Sequence, residues 1–269
     1  MLPLAGREFP TNRQELEAAL RGGLAEVLLL PPDRPVIDAG GDYQVLDRLV
    51  IDVTDATPRA DFRPAQLTKE KQPAPSVARF EVAGLPLRRD KAEVSVKGAV
   101  TDARFEFRRD QAGRKFFTLV DGREGKLSLR GRLADLNTLF LPVVQAMAAE
   151  YGVTIDDLQW TLAGHSDRQL AFTSRVKASK SVARFRMGTA MRSRGQVVID
   201  DQLNVRFSGL ACEGEGVLGN MLVGLVQSQL KRFEGTPVAL SSFALGRLKL
   251  RSLQIRAEEI LEVDATFGS

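Results

Sequence analysis

The one histidine of the chain, His165, sits in Gly164-His165-Ser166-Asp167. As a general base it would need a nucleophile and an orienting carboxylate arranged around it, and a serine adjacent in sequence is poorly placed for a triad. The segment reads as a turn carrying an exposed histidine. The one cysteine lies in Leu210-Ala211-Cys212-Glu213-Gly214-Glu215-Gly216. A reactive thiol needs nearby positive charge, and these neighbours are acidic, so Cys212 reads as a small buried hydrophobe. One cysteine and one histidine exclude a structural zinc site and an internal disulfide. Asp156-Asp157 and Asp200-Asp201 are carboxylate pairs without the spacing of a calcium loop, and read as turn residues. Gly209, Gly214, Gly216 and Gly219 form a glycine-rich run that matches neither phosphate-binding pattern, and read as a flexible helix entry. No catalytic residue, cofactor or metal site is expected, and a hydrolase or transferase has the least support.

Ten arginines alternate with apolar residues: Arg104, Arg108, Arg109, Arg184, Arg186, Arg192, Arg194, Arg247, Arg251 and Arg256. They read as the wet side of half-buried strands. Base-stacking aromatics are not interleaved with them, which argues against nucleic acid as a partner. Lys plus Arg exceed Asp plus Glu by 38 to 34, a net charge of +4. That excess is mild and compatible with transient contact with an anionic membrane surface. With 43% apolar and 27% charged residues the chain has the composition of an ordinary globular protein. No stretch is long and apolar enough to span a membrane, and the first eight residues lack the basic and apolar regions of a secretory signal. The expected location is cytoplasmic as the sequence stands, and periplasmic if a leader has been removed.

These residues must be positioned by strands and a few helices. Thr11 or Asn12 can cap a first helix, with Gln14 or Glu15 in capping-box position. Gly22-Gly23 would interrupt it and Pro31-Pro32 would end it. Tyr43 to Thr54 reads as strand, and the proline-rich segment Thr57 to Pro75 as a loop or linker. From Ser76 the pattern is one of alternating strands, with Asp110-Gln111-Ala112-Gly113 as a hairpin turn before Phe116 to Val120. A helix is expected from Leu133 to about Tyr151, presenting Phe140, Val144 and Met147. Strands follow, then a helix from about Val217 to Phe233 with Leu218, Met221, Leu222 and Leu225 inward and Gly224 along one edge. Strands at Val238 to Ala244, Arg247 to Arg256 and Ile260 to Phe267 complete the chain.

Ser76-Val77-Ala78-Arg79-Phe80 reappears as Ser181-Val182-Ala183-Arg184-Phe185. Each copy leads into strands, one long helix and further strands, which reads as a duplicated unit. The expected parts are an N-terminal helix, strand and proline-rich connection (1–75) and two strand–helix–strand units (76–180 and 181–269) in one continuous structure. The stretch Thr236-Pro237-Val238-Ala239-Leu240 followed by Phe243-Ala244-Leu245-Gly246-Arg247-Leu248-Lys249-Leu250 and Arg251-Ser252-Leu253-Gln254-Ile255 resembles the closing strands of TULIP-like proteins. It looks most like the bacterial LmeA-like phospholipid-binding family, over roughly Val182 to Phe267. The resemblance implies an α+β fold in which strongly bent antiparallel sheets each wrap a long helix, with a seam that admits acyl chains. The expected function is binding or transfer of a lipid or another hydrophobic small molecule in an apolar seam lined by Leu218, Met221, Leu222, Gly224, Leu225, Phe140, Val144 and Met147. The alternative is a non-enzymatic structural or protein-interaction module of the same architecture with a filled core.

Overall fold

The computed structural model describes the chain outside residues 33, 35, 60–66, 90–91, 139–140, 142–144, 146–153, 183–184, 217–218, 221–222, 225–226, 228–233 and 241–243. About two-thirds of the structure is strand. Two compact units share the chain: unit 1 is Met1–Leu129, Ser242–Ser252 and Asp264–Ser269, and unit 2 is Arg130–Ser241 and Leu253–Val263.

The N-terminal part of unit 1 contains β1 (Leu2–Leu4), α1 (Arg13–Val27), β2 (Leu28–Leu29), β3 (Ile37–Asp42), β4 (Val45–Asp52) and β5 (Thr57–Pro58). Next come β6 (Leu67–Arg89), β7 (Ala92–Asp110), β8 (Lys115–Asp121) and β9 (Glu124–Arg132). Unit 2 holds β10 (Thr154–Ser166), β11 (Gln169–Val182), β12 (Phe185–Ile199), β13 (Asn204–Gly214) and β14 (Val238–Ala239). The chain closes with β15 (Ala244–Leu245), β16 (Leu248–Ala257) and β17 (Ile260–Gly268). The large sheet has the order β15-β16-β17-β9-β7-β6-β4-β3, with β8 paired to β7 and β1. β4 and β6 run parallel; β3–β4, β6–β7, β7–β8 and β1–β8 are antiparallel. The sheet of unit 2 is β10-β11-β12-β13-β14, antiparallel throughout.

α1 starts where the sequence predicts. Asn12 Oδ1 accepts from the Glu15 N–H at 2.9 Å, and Glu15 Oε2 accepts from the Thr11 N–H and hydroxyl at 2.8 Å. These bonds satisfy donors that a helix start leaves orphaned. Gly22 and Gly23 do not interrupt the helix; they let β1 lie against it. A Cβ on Gly23 would fall 2.1 Å from the Pro3 carbonyl oxygen, and one on Gly22 would fall 2.6 Å from the Ala5 Cβ. Leu16, Leu20 and Leu24 bury the apolar stripe of α1.

The long strands explain where the sequence reading erred. β6 has 23 residues and includes Pro73 and Pro75, which the sequence predicts to be loop. A register shift between Pro73 and Ser76 interrupts the β6–β7 ladder there. Proline lacks an N–H to donate and is tolerated at such irregularities. In β7, burial falls on Ala92, Val94 and Val100, then on Ala103, Phe105 and Phe107. The step of three spans Asp102, whose φ of 50° is in the left-handed region. Aspartate adopts that conformation more readily than most residues, and it moves the following side chains to the opposite parity.

The expected α+β fold, with duplicated sheets each wrapped on a long helix, is overturned. The structure is mostly β, among the described residues no long helix is wrapped by sheets, and α1 is the one described helix of seven or more residues. Pro73 and Pro75 hid strand periodicity in the first part of β6, which the sequence pattern assigns to a loop. In the two expected helices, 133–151 and 217–233, every described residue is helical (133–138, 141, 145, 219–220, 223–224 and 227), and the rest of both runs lies outside the described residues. Nor do the pentapeptides occupy equivalent places. Ser76–Phe80 lies inside β6, whereas Ser181 and Val182 end β11 and Phe185 opens β12. No described helix is long and apolar enough to cross a membrane.

Candidate functional site

Phe80 and Val82 of β6 lie two residues apart on one face of the strand, as do Val96, Gly98 and Val100 of β7. The parity step at Asp102 adds Phe105 to the same enclosure. Phe117 and Leu119 of β8 and Leu127 of β9 complete an apolar wall around a half-open cavity of about 580 Å³. Phe105 and Phe117 are stacked with centroids 4.0 Å apart, and Phe80 meets Phe105 edge-on at 5.1 Å. Phe117 is fully buried. This aromatic group makes one wall rigid, because each ring is held by the next.

Gly98 lines this cavity without contributing a side chain to it. A Cβ there would have the Leu127 Cδ1 and the Lys126 carbonyl oxygen at 3.9 Å, an ordinary contact, so backbone packing does not require glycine at this position. Polar groups are few. Arg108, Lys126 and Thr118 line the cavity. Arg108 Nη2 donates to the Thr68 carbonyl at 2.7 Å, while Arg108 Nε and Thr118 Oγ1 are buried without a hydrogen-bond partner among the described residues. Unpaired buried polar atoms cost stability, so such atoms beside a cavity are groups that a ligand or water would satisfy.

A second recess in unit 1, about 490 Å³, differs in kind. Lys71, Arg104, Glu106, Asp121 and Arg247 line it. Four of its five charges pair within the protein, Arg104 with Asp121 at 2.8 Å and Lys71 with Glu106 at 3.0 Å, and Arg247 forms no ion pair with the described residues. A groove in which most charges are already paired makes little demand on a ligand.

The seam predicted from sequence falls almost wholly outside the described residues. This holds for Phe140, Val144, Met147, Leu218, Met221, Leu222 and Leu225. Gly224 is described: it is helical and exposed, and an added Cβ would meet nothing within 4 Å among the described residues. His165 lies in β10, within the strand rather than in a turn; its side chain is outside the described set. Cys212 is buried, and burial pushes its thiol above the ordinary range, which keeps it protonated and inert. Asp200 accepts from the N–H groups of Gln202 and Asn204 and from the Asn204 amide, closing the turn between β12 and β13. Of the ten arginines, Arg104, Arg192, Arg194 and Arg256 pair with carboxylates. Among the described residues, no three His, Cys, Asp or Glu side chains are grouped to hold a metal ion.

No family model, curated protein or solved structure matches the chain. Its function therefore rests on the geometry of its own residues. The sequence pattern predicts alternating strands from Ser76 onward but not the space that Phe80, Val82, Val96 and Phe105 enclose. Gly98 among β-branched neighbours was the available signal, since glycine inside a strand marks a close approach or a gap.

Proposed function

We propose that unit 1 binds a hydrophobic small molecule or a single lipid chain in the cavity walled by Phe80, Val100, Phe105, Phe117 and Leu127, without catalysing a reaction on it. The observation that carries this reading is an apolar enclosure of about 580 Å³ that Gly98 lines without a side chain. That volume falls in the range of small-molecule sites, roughly 300–1,000 Å³. Apolar walls with a few polar groups at the margin suit a chain with one polar end. The driving force is removal of the ligand from water, about 0.8 kcal/mol for each CH₂ buried, so binding needs no acid, base or nucleophile. Arg108, Lys126 and Thr118 would receive the polar end. The unfilled cavity favours this reading over an interaction module with a filled core.

Gly98→Leu tests it. The branched side chain enters the cavity from a position where a Cβ meets only ordinary contacts. Binding of a neutral fluorescent naphthylamine probe should fall by about tenfold or more, a loss of at least 1.4 kcal/mol, while the melting temperature is kept. Organic extraction of the purified protein followed by lipid mass spectrometry should recover a ligand from the parent and less from the variant. No extracted ligand together with no saturable probe binding by the parent would overturn the reading.

A further inference from the structure

The outward face of the unit 2 sheet carries charge in an arrangement that side-chain pairing does not account for. Gln159, Arg175, Arg192 and Glu213 form one row across β10, β11, β12 and β13, each opposite the next in register. Thr161, Thr173, Arg194 and Ala211 form the neighbouring row. Arg175 thus stands directly opposite Arg192, a like-charge pair that disfavours strand association. The other cations nearby have carboxylates: Lys177 has Asp157 at 3.6 Å, Arg192 has Glu215 at 3.5 Å, and Arg194 has Glu213 at 4.0 Å. Arg175 forms no ion pair with the described residues, and its Nε is buried without an acceptor.

These two rows line a recess of about 300 Å³. We propose that it binds a phosphate-type oxyanion, with Arg175 at its floor and Arg192 and Arg194 at its sides. An oxyanion between Arg175 and Arg192 turns their repulsion into two attractions and gives the buried Nε an acceptor. Guanidinium suits this role because its planar fork presents paired donors to two oxygens at once. The Thr161 and Thr173 hydroxyls stand in the next row as neutral donors. Glu213 is the one carboxylate lining the recess, and it opposes an anion. Its side chain is 74% exposed and only loosely paired, so it can turn into water when the anion enters.

The test is an isothermal titration of the full chain with inorganic phosphate and pyrophosphate at low ionic strength. The parent should bind saturably. Arg175→Met should weaken binding about tenfold, as expected for loss of a charge-assisted fork. Arg194→Gln should weaken it several-fold without disturbing a buried atom, because that side chain is 70% exposed. Arg104→Gln, in unit 1, should leave it unchanged. Vesicles of phosphatidylcholine with and without phosphatidic acid separate two sources of the group. Sedimentation only with phosphatidic acid, reversed by inorganic phosphate, places it on a lipid headgroup; phosphate binding without sedimentation places it on a soluble molecule. Either result supports the site. Absence of saturable binding, or equal losses in Arg194→Gln and Arg104→Gln, would overturn it.

Discussion

The two units handle their interior and exterior faces in opposite ways. In unit 1 the apolar side encloses space, and the polar recess around Arg104 holds two ion pairs, Arg104 with Asp121 and Lys71 with Glu106. In unit 2 the apolar side is interrupted by polarity: Ser174 and Ser193 sit opposite each other with their hydroxyls 2.7 Å apart, and Cys212 faces Ser193. There the polar side leaves Arg175 without an ion pair and its Nε without an acceptor among the described residues. Room for an apolar ligand arises where a side chain is missing, as at Gly98, and where alternation is stepped, as at Asp102. Demand for an anion arises where register sets like charges face to face, as at Arg175 and Arg192. The same strand pairing yields two kinds of site, according to which side chains are withheld and which are doubled.

The largest expected effect tests whether unit 1 depends on its aromatic wall. Phe117→Ala removes a fully buried ring stacked on Phe105 and should cost about 3–5 kcal/mol of unfolding free energy. Phe172→Ala in unit 2 should cost less, because Phe172 is only part-buried. Urea denaturation of both variants makes the measurement. Equal losses would break the contrast between a unit with a rigid aromatic wall and one without.

Local patterns were the legible part of this sequence. The cap at Asn12, the turn at Asp110 and the alternation through Phe105 and Phe107 depend on residues close together in the chain, and periodicity and turn chemistry report those directly. What could not be read depends on distant partners. The opposition of Arg175 and Arg192 requires the register of β11 against β12, and the cavity requires β6, β7, β8 and β9 together. The strand running through Pro73 and Pro75 was hidden because proline is a reliable stop only where the ladder needs its N–H. A local rule also misled at Gly22 and Gly23, whose role is fixed by Pro3 and Ala5.

A mid-sized effect compares two turn aspartates that share a task. Asp110 accepts from the Ala112 and Arg114 N–H groups and pairs with Arg114 Nε at 2.7 Å. Burial alone would raise its carboxyl, but the bonds from Arg114 and Ala112 outweigh that and hold it below the usual range. The bonds from Asn204 lower Asp200 in the same direction. A depressed folded value means the contribution is fully present above the unfolded pKa, about 3.9, and is lost as pH falls through the folded value. Asp110→Ala should therefore cost about 1–3 kcal/mol at neutral pH. Its deficit against the parent should narrow as pH drops below the ordinary aspartate range. Asp200→Ala should show the same sign with a smaller loss, since Asp200 is less buried than Asp110. Urea midpoints at pH 7 and pH 3 check both. A deficit that widens in acid would contradict the assigned charge states.

The smallest effect sharpens the location of the apolar site. Gly224 is exposed and an added Cβ meets nothing within 4 Å among the described residues, whereas Gly98 faces the cavity. Gly224→Leu should leave probe binding unchanged, and stability unchanged or raised by up to about 1 kcal/mol from the better helix propensity of leucine. Gly98→Leu and Gly224→Leu add the same side chain to a strand of unit 1 and to a helical position of unit 2, so their ratio isolates position from bulk. Probe titrations and thermal melts on both variants give that ratio. If Gly224→Leu were to abolish binding while Gly98→Leu did not, the ligand would sit beside the helical segment around Gly224, and the assignment to the cavity walled by Phe105 and Phe117 would be wrong.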